Sequence, residues 1–228
     1  MNKLRLLANL PLYVDKIPVY SPLLREIAEI GLEQYGILLA YCVIEKEGVI
    51  DSVKLEVKNN YDALIYVINS TEGIMDIILC GLYFFTKVNF QPKILNNDLI
   101  FIKEDIVLNR INYDSFINNI RFSNRLEVGN IEELDEFDKR VLEAEKKINE
   151  VLNKDTEQPN FEDLISSVAN FDGNGLNIIN IWDLNVYQFY EQLQRGQMKE
   201  QYRWNLQQLL VGVNPDNIKL ESYLKNIK

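Results

Sequence analysis

Much of the chain shows the three-to-four-residue apolar repeat of amphipathic helices. Ser21 and Pro22 predict a helix start, because serine caps free backbone N–H groups and proline suits the first helical position. Gly31 predicts the end of that helix, while Asn59 and Ser70 are candidate caps for later ones. Helices are predicted over residues 22–31, 32–45, 61–68, 72–87 and 112–126. The fourth is apolar on nearly every face, which predicts a position at the centre of the core.

Short β-compatible runs interrupt this helical pattern in two places. Residues 4–19 are broken by asparagine, aspartate and proline, which is typical of a pair of short strands or an extended arm. Residues 93–95, 99–102 and 106–108 lie around polar turn clusters and predict a small antiparallel hairpin. The predicted fold class is therefore mainly α with a small antiparallel β-hairpin component, an α+β fold.

Residues 127–150 carry nine acidic and four basic side chains above an apolar repeat with alternating spacings of three and four. The repeat comprises Leu134, Phe137, Val141, Ala144, Ile148 and Val151. About two and a half heptads are too few for a stable isolated coiled coil, so the stripe is expected to dock on another surface. A surface helix packed on its own domain is the favoured interpretation, and docking on a partner is the alternative.

A polar, proline-containing segment, residues 154–160, predicts a linker. Asn160 is a candidate cap for the helix that follows, and Asp183 for a long helix reaching about residue 211. The predicted organisation is a mixed helical N-terminal domain with short strands, an acidic amphipathic connecting helix and a helical C-terminal domain. These occupy residues 1–126, 127–154 and 160–228.

Charge and composition exclude several kinds of chemistry. The 228-residue chain has a net charge of −10 and no histidine. The negative charge opposes nucleic-acid binding, and the absence of histidine excludes histidine-activated nucleophiles and histidine-ligated zinc or non-haem iron sites. Cys42 and Cys80 both lie in apolar segments, which predicts buried thiols in a reducing compartment. No apolar run reaches the roughly 20 residues of a membrane span, and the N-terminus does not have the pattern of a signal peptide.

The candidate metal and nucleotide sites are weak. The DGNG turn at residues 172–175 lies in a stretch spaced like a calcium loop, but Ile181 stands where such a loop has its bidentate glutamate. The sequence has no glycine-rich phosphate loop, and acidic pairs such as Glu132 and Glu133 lie in the charged, solvated segment. We therefore predict no catalytic residue, no metal and no cofactor, and a protein that is not an enzyme.

The densest aromatic cluster lies between residues 182 and 204. Aromatic residues at helical spacing are usually core, but tyrosine, tryptophan and arginine also anchor protein interfaces. We assign Trp182, Phe189 and Leu193 to the core. The predicted partner-binding residues are Leu134, Phe137, Val141, Ile148, Tyr187, Arg195 and Trp204.

Two stretches of the sequence resemble uncharacterised proteins of phages and prophages from low-GC Gram-positive bacteria. The first, LPLYVDKIPVYSPLLREIAEIGLEQYGILLAYCV, spans residues 10–43 and contains an extended lead-in followed by a helix of the form P-x-L-x-x-I-x-x-I-G-x-x-x-Y. The second, FEDLISSVANFDGNGLNIINIWDLNVYQFYEQLQRGQMKEQYRWNLQQLL, spans residues 161–210 and contains a glycine turn, a tryptophan and a Y-Q-F-Y helix.

Those proteins resemble tail-assembly chaperones, which are non-enzymatic factors that coat the long tape-measure protein until the tail tube forms. The resemblance implies a tail-morphogenesis protein in the cytoplasm of the bacterial host or associated with the virion. Its partner would be the tape-measure protein or another phage structural protein, and it would self-associate into oligomers. The DGNG turn departs from the more usual TG of that pattern, which carries no catalytic residue.

Two alternatives stay open. The first is a phage-encoded inhibitor that blocks a host defence protein through its acidic surface, including mimicry of DNA charge. The second is an enzyme that depends on a pair of carboxylates lining a pocket. Charge neutralisation at Glu132, Glu133, Asp135, Glu136 and Asp138 would discriminate the inhibitor from the chaperone.

Overall fold

The structure, a computed structural model, describes residues 2–48, 57–96, 98–126 and 160–214. The chain divides into two compact units. The first comprises Met1–Leu126 and Trp182–Glu191, and the second comprises Glu127–Ile181 and Gln192–Lys228. The predicted C-terminal domain, residues 160–228, includes Trp182–Glu191, whereas the structure assigns this segment to the first unit. The predicted acidic helix, and the predicted linker apart from Asn160, lie outside the described residues.

Helices provide most of the described regular structure. The helices are α1 (Asn2–Leu7), α2 (Leu24–Ile30), α3 (Leu32–Cys42), α4 (Asn60–Ser70), α5 (Ile74–Thr86), α6 (Tyr113–Ser123), α7 (Phe161–Ala169) and α8 (Val186–Leu210). The strands are β1 (Leu12–Val14), β2 (Ile17–Val19), β3 (Gln91–Leu95), β4 (Asp98–Lys103) and β5 (Ile106–Leu108). The predicted α+β fold class is confirmed.

Two small antiparallel sheets belong to the first unit. In one, β1 pairs with β2, with Leu12 opposite Val19. The other has the strand order β3-β4-β5, and all five residues of β3 are exposed. The prediction of short strands near the N-terminus is confirmed for β1 and β2, but Asn2–Leu7 is a helix. That helix was missed because its single buried residue, Leu6, gives no apolar repeat.

The core of the first unit is built around α5, as predicted from its apolar faces. Ile78, Leu82 and Phe85 of this helix are each at most 2% exposed. Helix α5 packs on α3, where Gly81 lies against the Cys42 thiol and the Leu38 carbonyl. An alanine Cβ at residue 81 would overlap that sulfur, so close approach of the two helices depends on glycine.

Predicted helix caps are confirmed where the cap is local. The Asn59 side chain accepts a hydrogen bond from the Asp62 N–H at 2.9 Å. Asn160 accepts one from the Asp163 N–H at 2.8 Å, and Asp163 accepts the Asn160 N–H in return. This reciprocal arrangement is a capping box, in which two free backbone donors are satisfied at once.

Three other predicted caps are wrong. Helix α5 begins after Gly73, so Ser70 is instead the last residue of α4. Ser21 does not cap α2, whose first turn is held by the Glu26 carboxylate accepting from the Leu23 N–H at 2.9 Å. Asp183 does not cap α8, because Asn185 and Gln188 form a reciprocal box with side chain to N–H distances of 2.8 and 2.9 Å.

Within the second unit, α7 leads into the DGNG turn, which is present as predicted. Gly173 and Gly175 adopt φ values of 72° and 74°, which glycine adopts without strain. Helix α8 contributes its first six residues to the first unit and the remainder to the second. None of the described helices is long and apolar enough to cross a membrane.

Candidate protein-binding surface

The later part of α8 exposes several large apolar side chains. Residues 194–214 include no buried side chain. Trp204 is 59% exposed, Leu206 42%, Leu210 79% and Val211 80%. We call these four residues the distal α8 surface. A helix in a folded protein usually owes its stability to a buried face, so an exposed segment with several large apolar side chains is a candidate for binding another surface.

Helical spacing arranges these side chains in two lines. Residues three, four or seven apart lie on the same side of a helix. Leu206 and Leu210 therefore continue the line of Lys199 and Arg203, whereas Trp204 and Val211 form a second line. Trp204 and Val211 thus lie on a different side of the helix from Leu206 and Leu210, and Lys199 and Arg203 precede the latter pair.

The DGNG loop is fixed to the helix just before this surface. The Lys199 ammonium donates to the Asp172 carbonyl at 2.7 Å, and the Arg203 guanidinium lies 3.6 Å from the Asp172 carboxylate. The Phe171 ring lies directly on the helix backbone at Gly196, where a Cβ would overlap ring atoms. A cleft of about 430 Å³ between loop and helix is lined by Phe171, Asp172, Gly173, Asn174, Gln192, Arg195, Gly196 and Lys199.

The predicted partner-binding residues differ in their exposure in the structure. Trp204 is exposed, and Arg195 is partly exposed and lines the cleft beside the DGNG loop. Their binding role stays a prediction. The heptad residues Leu134, Phe137, Val141 and Ile148 lie outside the described residues.

Tyr187 is a correction, because it is not available to a partner. Its side chain is 1% exposed and belongs to the core of the first unit. The Arg125 guanidinium lies 4.5 Å from the centre of the Tyr187 ring. The backbone N–H of Tyr187 donates to the Ser21 hydroxyl at 3.0 Å. Burial raises the pKa of the phenol. The sequence could not show this, because these contacts span more than sixty residues of chain.

A buried ionic cluster lies next to Tyr187. The Glu191 carboxylate is 2.7 Å from Arg125 and 3.2 Å from Lys3, with its side chain only 6% exposed. Glutamate is almost never buried unless it is paired, so the two cations account for its position. This ionic cluster holds the Trp182–Glu191 segment within the first unit, so its role is structural.

The first unit also carries an apolar pocket that the sequence did not predict. Its volume is about 350 Å³, and it is lined by Ala40, Tyr41, Val43, Ile44, Glu45, Gly48, Tyr66 and Val67. The one carboxylate in the lining, Glu45, forms an ion pair with Arg121. The lining suits an apolar side chain better than a substrate that needs acid and base groups.

The remaining predictions concern buried side chains, the two thiols and metal ligands. Phe189 and Leu193 are buried as predicted, and Trp182 is partly buried. Cys42 is buried, with its pKa raised by burial, but Cys80 is exposed and the prediction of two buried thiols is wrong. Within the described ranges, no cluster of three or more acidic, cysteine or histidine side chains could hold a metal ion.

A comparison with protein families gives one match. Residues 153–228 match the family described as the YomV second domain. YomV is a Bacillus prophage protein, so this third of the chain is similar to a phage-associated domain. No curated protein and no solved structure matches the chain. The matched range begins one residue before the predicted linker and contains the whole distal α8 surface.

Proposed function

We propose that this protein is a phage-associated factor that acts by binding another protein, without catalysis, through the distal α8 surface. More specifically, we propose that it is a tail-assembly chaperone whose client is a helical tail protein such as the tape-measure protein. The YomV-domain match supports the phage association. The chaperone role rests on the resemblance described above and on the surface itself.

One observation carries the proposal. The part of α8 after Leu193 has no buried residue and yet exposes Trp204 and Leu210, and Val211 is exposed directly after the helix. Soluble proteins scatter single exposed apolar residues, whereas several on one short helix mark an interaction site. Tryptophan is among the residues that contribute most to binding when a partner buries them.

The surface suits a helical client for geometric reasons. Two helices pack when side chains three and four apart on one helix fill the grooves of the other. Leu206 and Leu210 provide one such ridge, and Trp204 with Val211 provides another that lies roughly 100–160° further round the helix. A long helical client with apolar residues in a similar repeat could therefore lie along it, and a chaperone would shield that repeat until assembly.

The direct test is affinity isolation of the tagged full-length protein from bacteria producing the phage, with bound proteins identified by mass spectrometry. Recovery of a tape-measure or other tail protein supports the proposal. Recovery of only a host defence protein would instead favour an inhibitor, and recovery of no protein above the untagged control would contradict both.

A functional measurement complements this test. The purified client should aggregate more slowly when the protein is added in equal amount, since its apolar repeat would be covered. The double variant Trp204→Ser/Leu210→Ser should lose this protection. The matched control, Ile94→Ser on the exposed strand β3, removes a 74% exposed apolar side chain elsewhere and should keep it.

A further inference from the structure

We infer that the partner of the distal α8 surface is an acidic amphipathic helix, with carboxylates flanking its apolar stripe. This inference rests on the proposed function and adds the chemistry of the partner to it. The part of α8 beyond the first unit carries the charge that would select such a partner. It concerns a protein segment, and a lipid surface is one of the outcomes that the test distinguishes.

The second part of α8 differs in charge from the rest of the chain. Residues 192–211 contain Arg195, Lys199 and Arg203 but a single carboxylate, Glu200, whereas the complete chain has a net charge of −10. Cations on a short helix of an otherwise acidic protein create a local positive potential. An acidic client is repelled by the negatively charged body of the protein and attracted to this segment, whereas a basic client would be attracted to the body instead.

The cations are placed where they can act on a client helix. Lys199 and Arg203 lie in line with Leu206 and Leu210, one and two turns before them. In paired helices, charged residues beside the apolar seam choose the partner and its orientation by forming interhelical ion pairs. If the apolar stripe of a client helix lay over Leu206 and Leu210, the residues beside that stripe would therefore lie close to Arg203.

The existing ion pairs of Arg203 leave its charge accessible. Its guanidinium is 3.0 Å from Glu200 and 3.6 Å from Asp172, but its side chain is 46% exposed. Glu200 and Asp172 are themselves 52% and 83% exposed. Exposed pairs of this kind contribute little to stability, so Arg203 can exchange or share them with a client carboxylate at little cost.

The test uses the full-length protein and two synthetic helical peptides of about three heptads. Both peptides carry leucine at the apolar positions, and the flanking positions are glutamate in one and lysine in the other. Binding is measured by fluorescence anisotropy at low and high salt. We expect the acidic peptide to bind at least tenfold more tightly than the basic one at low salt, with the difference shrinking as salt screens the charges.

A charge exchange identifies the residue responsible. Arg203→Glu should weaken the acidic peptide about tenfold and strengthen the basic one, which loss of folding could not do. Arg5→Glu, a charge reversal in the first unit, should leave both affinities unchanged. Vesicles with anionic headgroups serve as a third probe.

Each outcome decides the inference. Preference for the acidic peptide, reversed in Arg203→Glu, supports it. Equal binding of both peptides, preference for the basic peptide, or binding of vesicles but neither peptide would overturn it. Equal binding of the peptides would still leave the proposed protein-binding role intact, whereas that role fails if no phage protein is recovered from producing cells.

Discussion

The Phe171 ring packs directly against the backbone of α8 at Gly196, so that any Cβ at this position would overlap the ring. In the predicted long helix, Gly196 is a candidate bend. Its structural role is to let the DGNG loop approach the helix that carries the distal α8 surface. The contact therefore links the loop of the YomV-like segment to the position of the candidate site.

Gly196→Ala is expected to destabilise the protein. Overpacking against the ring costs about 1–3 kcal/mol, which outweighs the gain of up to about 1 kcal/mol from higher helix propensity. Chemical denaturation followed by circular dichroism measures the change. Gly36→Ala in α3 is the matched control, because its added Cβ meets no atom within 4 Å and should leave stability equal or raised. Equal effects of the two substitutions would contradict the packing role.

Glu191→Ala is expected to lower the free energy of unfolding by about 3 kcal/mol, since the mostly buried Arg125 guanidinium would lose its ion pair with this carboxylate. The Glu191 side chain is 6% exposed and that of Arg125 15%. Urea denaturation provides the measurement. The control, Lys103→Ala, breaks an exposed pair with Glu104 and should cost less than about 1 kcal/mol. A loss of similar size in both variants would rule out the proposed role of the cluster.

The Arg110 cluster predicts a specific pH dependence. Arg110 donates two hydrogen bonds to Asp98, at 2.9 and 3.1 Å, and these hold the pKa of that carboxyl below its usual value. Because the folded-state pKa is the lower one, the stabilisation is complete above the ordinary carboxyl pKa of about 4 and is lost as the pH falls through the folded-state value.

Arg110→Gln should therefore lower stability at pH 7 and make the further loss on acidification smaller than in the unmodified protein. Thermal unfolding at a series of pH values follows this effect. Arg5→Gln is the matched control, because Arg5 donates to the Pro11 carbonyl instead of to a carboxylate, and its acid dependence should match that of the unmodified protein. Parallel curves for all three proteins would contradict the assignment.

The two thiols should react at very different rates. Cys42 is buried with a raised pKa, while Cys80 is exposed on α5. A thiol reagent should therefore modify one group in the native protein and two after denaturation. Cys80→Ser should abolish the fast reaction, and its persistence would show that Cys42 is accessible.

The sequence predicted features that depend on neighbouring residues. Asn59 and Asn160 cap helices because their side chains bind backbone groups only three residues away. The short strands, the apolar α5 and the exposure of Trp204 also follow from local patterns. The α+β class could be predicted for this reason.

Features that depend on distant contacts could not be predicted. Ser21 has the residue type of a cap, but its hydroxyl donates to the Ser123 carbonyl at 2.8 Å, more than one hundred residues away. Tyr187 resembles an interface residue, and only the fold shows that Arg125 covers its ring. The apolar pocket near Tyr41 and Tyr66 likewise needs two helices to be brought together.

The most direct test of the central claim compares three baits in parallel affinity isolations from phage-producing bacteria. These are the unmodified protein, the distal α8 variant Trp204→Ser/Leu210→Ser and the control variant Ile94→Ser/Ile111→Ser, whose substituted residues are 74% and 90% exposed. The distal variant should lose a phage tail protein that the other two baits retain, while all three show the same circular dichroism spectrum. Equal recovery of that protein by all three baits would show that the distal α8 surface is not the binding site.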